Sequence, residues 1–61
     1  MSIDGYNEDE LLALITLAWG RCQGWKGCKD GSFEMALANN GFYDACREAD
    51  KRGIEWQHLT E

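Results

Sequence analysis

Leu11, Leu14, Ile15, Ala18 and Cys22 recur at three- and four-residue intervals, and Leu12 and Trp19 widen the stripe. That spacing turns one face of an α-helix toward a core. It predicts a first helix over about residues 7–23. Asn7 is placed to accept hydrogen bonds from the free N–H groups of the first turn, and Glu10 stands where a capping-box acid reaches back. Tyr6 and Leu11 occupy the two positions of a hydrophobic staple. Glu8, Asp9 and Glu10 face the positive end of the helix dipole. Between Leu11 and Trp19 only Thr16 is polar. A helix so apolar around its circumference belongs at the centre of the fold or in an interface. Gly20 interrupts the pattern, so either another backbone approaches there or the helix ends a turn early.

The pattern is shorter beyond the glycine-rich stretch 24–31. Phe33, Ala36 and Leu37 form the inner face of a second helix, over about residues 33–40, with Asp30 or Ser32 as its cap. Asn39, Asn40 and Gly41 are a stop signal, with Gly41 suited to a left-handed cap and Phe42 to the apolar contact that follows. Phe42, Ala45, Cys46 and Ala49 then mark the inner face of a third helix, over about residues 43–52. Lys51 and Arg52 suit its negative end, Glu48 and Arg52 are spaced as an i,i+4 pair, and Gly53 stops it. Ile54, Trp56 and Leu59 make a short apolar tail that must dock on the rest. The expected fold is therefore all-α, a small three-helix bundle with a docked C-terminal tail. Residues 1–6 read as a flexible polar leader, loose apart from Tyr6, and residues 7–61 read as a single helical domain.

Size makes this a marginal case. A chain of 61 residues lies near the lower limit for folding alone, and its burial of apolar area only just offsets the entropy of ordering it. Its aromatics, three Trp, two Tyr and two Phe, exceed what a three-helix core readily hides. Trp19, Phe33 and Phe42 are expected to fill the core. Trp25, Tyr43 and Trp56 fall in loop, helix-edge and tail positions, and are candidate anchors for a partner.

Charge narrows the function classes. The formal net charge of −5 argues against a general affinity for nucleic acid and favours a partner with a basic surface. Asp44, Glu48 and Asp50 fall on outward positions of the third helix and form the candidate acidic docking face. The charge is uneven: residues 1–20 hold four acids and no base, whereas residues 21–29 hold three bases and no acid. In that basic stretch Arg21, Lys26 and Lys29 flank Trp25, the local composition of a platform for nucleic acid or another anion. The second and third helices with the Gly41 turn are arranged in order like a helix-turn-helix, but the outer face of the third carries Asp44, Glu48 and Asp50 beside Arg47 and Lys51, a poor surface for DNA.

Chemistry is sparse. Cys22, Cys28 and Cys46 with His58 have the composition of some structural zinc sites, but five residues separate Cys22 from Cys28, wider than a zinc knuckle. Cys22 and Cys46 fall on inner faces, where free cysteine behaves as a small hydrophobe. His58 has no nucleophile or orienting acid at a telling spacing. No cofactor, metal or catalytic activity is expected. Neither a signal peptide nor a membrane span is evident, and three cysteines do not suit a disulfide-stapled secreted domain, so the expectation is a reduced, cytoplasmic protein. The reading that results is a small acidic protein-binding module. By analogy from size and charge alone, such chains suit phage or mobile-element accessory products that inhibit a nucleic-acid-handling protein. Self-association through the first helix, giving a homodimer, is a further expectation. A weak nucleic-acid or anion binder using residues 21–29 is the alternative.

Overall fold

The computed structural model describes residues 3–61, so Met1 and Ser2 of the expected leader lie outside the described residues. The chain is an all-α three-helix bundle: α1 (Glu8–Cys22), α2 (Ser32–Asn39) and α3 (Phe42–Lys51) pack against one another, with no strand among the described residues. Short 3-10 turns cover Ile3–Gly5, Gln23–Trp25 and Gln57–Thr60. Among the described residues no helix is long and apolar enough to cross a membrane.

The capping box closes as its spacing demands. The Glu10 N–H donates to Asn7 Oδ1 at 2.8 Å, and the Asn7 N–H donates to Glu10 Oε1 at 2.9 Å. Two of the donors that every helix start leaves unpaired are thereby satisfied. Gly20 neither stops α1 nor receives another backbone: the helix runs on to Cys22, and a Cβ at position 20 would meet open space. Glycine is thus a local weakness in α1 that packing of the other helices overrides.

Asp30 starts α2 from outside it. Its Oδ1 accepts from the Ser32 N–H at 3.0 Å and from the Ser32 hydroxyl, and these bonds hold the Asp30 carboxyl below its usual range. Gly41, at φ 76°, ends α2 with its N–H on the Ala38 carbonyl and begins α3 with its own carbonyl accepting from Ala45. One glycine therefore serves two helices, and α3 starts at Phe42, directly after it. Gly53, at φ 74°, closes α3: its N–H reaches the Asp50 carbonyl and the Ile54 N–H reaches that of Ala49. This pair of bonds is a Schellman motif, and it sends the chain back across the bundle.

Leu11, Ile15, Ala18 and Cys22 of α1 form the core with Leu37 of α2 and Phe42, Ala45, Cys46 and Ala49 of α3. Tyr6, Leu14, Trp19, Phe33 and the tail residues Ile54, Trp56 and Leu59 pack around it half-buried. Trp19 sets its ring edge-on to Phe33 and tilted over Phe42, both at 5.5 Å between centroids. Residues 3–6 carry a second tie. Arg52, ion-paired with Glu48 at 2.7 Å, also donates to the backbone carbonyls of Asp4 and Tyr6.

Candidate functional site

Of the three acids proposed as one docking face, Asp44 and Glu48 stay neighbours on α3 and line a common depression, while Asp50 lies on the other flank. Helical spacing places Asp44, Arg47 and Lys51 on the side of α3 opposite its core residues, with Glu48 and Asp50 on opposite flanks. Glu48 is held by Arg52 on one flank. On the other, Asp50 Oδ1 accepts from the Trp56 indole N–H at 2.8 Å. Among the described residues Asp44 is the one of the three without such a bond, and the bases Arg47 and Lys51 share its face. Ile3, Asp4, Asp44, Arg47, Glu48 and Lys51 line an open depression of about 370 Å³ between the N-terminal turn and α3. Its lining mixes both signs of charge rather than presenting an acidic wall.

The three candidate anchors separate as well. Trp56 stands edge-on to Phe42 at 5.9 Å and donates to Asp50, so it docks the tail on the bundle. Tyr43, at the first turn of α3, is 40% exposed with one edge against Phe42. Trp25 ends the 3-10 turn that follows α1 and is 50% exposed. Its position is fixed by backbone, since the Lys26 N–H returns to the Gln23 carbonyl and the Cys28 N–H to that of Trp25.

The basic stretch around Trp25 is intact but not uniform. Lys26 Nζ lies 5.7 Å from the centre of the Trp19 ring, a cation–π contact that draws it toward α1. Arg21 and Lys29 are exposed, and among the described residues neither forms an ion pair. Trp25, Lys26 and Lys29 therefore lie on the stretch that follows α1, while Arg21 belongs to the last turn of α1 itself.

Cys22 and Cys46 are buried while Cys28 is exposed, and all three are free thiols. Among the described residues no three His, Cys, Asp or Glu converge in a metal-binding arrangement. Asn40 Nδ2 approaches Cys22 Sγ at 3.7 Å and donates more firmly to the Ala36 carbonyl at 2.9 Å. Burial, with the Asp50 carboxylate nearby, pushes the Cys46 thiol up from 9.0 to about 11. That is the opposite of what a nucleophilic cysteine requires.

Sequence reasoning missed two exposed apolar side chains, Leu17 on α1 and Met35 on α2. Both are legible afterwards: each lies outside the inner stripe of its own helix, Leu17 two residues from Ile15 and Met35 two from Leu37. No protein-family model matches the chain, and neither curated proteins nor solved structures show significant similarity to it.

Proposed function

We propose that this chain is a protein-binding module without catalytic activity, whose contact is built on Trp25 and Tyr43 with Asp44 as its charged member. The observation that supports this reading most is the half-exposed Trp25 on a turn closed by backbone hydrogen bonds. Trp and Tyr anchor interfaces because each buries a large apolar area and loses little conformational freedom. The charge of −5 steers a basic partner toward the chain, and the cationic surfaces of nucleic-acid-handling proteins suit it. Trp56, Glu48 and Asp50 are left with structural tasks in this reading.

The test is capture of a partner from a cell extract on the immobilised chain, beside a Trp25→Ala/Tyr43→Ala variant of unchanged helicity. A protein held by the parent, released by salt and lost from the variant supports the proposal. Equal retention by both chains refutes it. Anion binding by Arg21, Trp25, Lys26 and Lys29 is the second reading, favoured by the absence of any acid in residues 21–29. A single-stranded oligonucleotide at low salt should then quench tryptophan fluorescence, and Lys26→Ala/Lys29→Ala should remove the effect.

A further inference from the structure

One flank of α1, beside its core stripe and with Leu14 partly packed on the core, carries an ordered pattern of its own. Glu10, Leu14, Leu17 and Arg21 follow one another at intervals of four, three and four residues, the spacing of a coiled-coil seam. Leu17 is 51% exposed, Glu10 and Arg21 are exposed, and Leu14 is half-buried. Ala13 and Gly20 flank the seam, and position 20 opens on empty space. Arg21 makes no hydrogen bond or ion pair among the described residues. Glu10 accepts from the Asn7 N–H of the cap, and among the described residues it pairs with no base.

The order of these four residues, acid, leucine, leucine, base, is symmetric in spacing and complementary to its own reversal in charge. Its midpoint lies between Ile15 and Thr16. We propose that this face pairs with the same face of a second copy of the chain, the two α1 helices running antiparallel about a two-fold axis. In that arrangement Glu10 of each copy meets Arg21 of the other, and Leu14 of each meets Leu17 of the other. Both ends of the seam are satisfied at once, as an isologous contact requires. A parallel pair would instead set Glu10 against Glu10 and Arg21 against Arg21. Antiparallel helices also oppose their dipoles favourably. A basic partner fits this face poorly, because Arg21 stands within it. Gly20 and Ala13 let the helix axes approach to about 8 Å, the near end of the usual range.

A seam of three helical turns buries well under the ~1,600 Å² of a standard stable interface. The dimer is therefore weak: a monomer in the low micromolar range, dimerising toward about 1 mM. The contact uses none of Trp25, Tyr43 or Asp44, so it stands apart from the proposed partner site.

The test is the solution mass at low ionic strength from about 10 µM to about 1 mM, by sedimentation equilibrium. The parent mass should rise toward that of a dimer. Arg21→Glu alone and Glu10→Lys alone should each weaken self-association by about tenfold or more, since each places like charges opposite one another. Mixed in equal amounts, the two variants should regain the dimer, because every charged pair across the mixed seam is then of opposite sign. Leu17→Glu leaves the capping box untouched and should abolish the dimer with the helical spectrum unchanged, which covers the case of a Glu10→Lys chain that fails to fold. Trp25→Ala should leave the curve where it is. A parent chain still monomeric at about 1 mM overturns the proposal. So does a dimer indifferent to Arg21→Glu and Leu17→Glu.

Discussion

Cys46 lies on the inner face of α3, and its thiol is pushed up to about 11 from an ordinary 9.0 by burial and by Asp50. A raised value means that the folded chain holds the proton where the unfolded chain has lost it. Below pH 9 both states are protonated and Cys46 contributes its full share to stability. Between pH 9 and about 11 the unfolded state alone ionises, so stability falls as pH rises. Denaturant titrations across that window should show a fall that is smaller in Cys46→Ala. Thiol alkylation read by mass should give one adduct on the native chain, at exposed Cys28, and three after denaturation. At this scale the sequence was informative about burial, because Cys22 and Cys46 fall on apolar stripes. It was silent on who holds whom. The bond from Trp56 to Asp50 depends on the angle at which the Schellman turn returns the tail, which no spacing of residues encodes.

At the scale of elements, helix starts and stops were the most legible feature, because each is a local exchange between a few side chains and neighbouring backbone. Asn7 with Glu10 and the glycines at 41 and 53 act where their types predict, whereas the cap position of α2 falls to Gly31, at φ 84°, with Asp30 and Ser32 bonded to each other across it. Gly20 was misleading for the same reason. Its cost is local, but α1 persists through it because its inner face packs on α3 and α2. Two substitutions separate the roles of glycine. Gly20→Ala has room for its Cβ and a helical backbone, and should raise stability by about 1 kcal/mol. Gly41→Ala must hold φ near 76° and should lower stability by about 1 kcal/mol or more. Thermal and denaturant unfolding of the two variants beside the parent will read both signs. The acidic face was the element-scale expectation most changed in meaning. Asp44 and Glu48 do share one side of α3, yet Asp50 leaves it on the other flank, and Glu48 and Asp50 are bonded within the fold.

For the whole molecule, the bundle, its order and the docked tail followed from apolar periodicity and turn residues. The fate of the aromatics did not, since seven rings can share one small core in many ways. Trp19, Phe33, Phe42, Tyr43 and Trp56 form a connected set of ring contacts, and among the described residues Trp25 stands outside it. Arg52 supplies the other feature that no local signal announced. Its guanidinium joins the end of α3 to the Asp4 and Tyr6 carbonyls, across 48 and 46 residues of chain. Arg52→Ala should free the N-terminal turn while leaving the three helices in place, seen as faster amide exchange of the Tyr6 N–H with little change in the helical spectrum.

That tie also bears on the order in which the molecule assembles. Helices joined by short turns form and collide quickly, because little chain entropy is lost in bringing neighbours together. A bond that spans nearly the whole chain must wait until α1 and α3 are already side by side, since it rewards a loop closure that the helices have by then completed. Arg52 should therefore act almost entirely on the rate of unfolding: removing it leaves the folding arm of a kinetic experiment in place and raises the unfolding arm. The guanidinium is the last piece in and the first out, and the lifetime of the closed N-terminal turn, rather than the speed of folding, is what it governs.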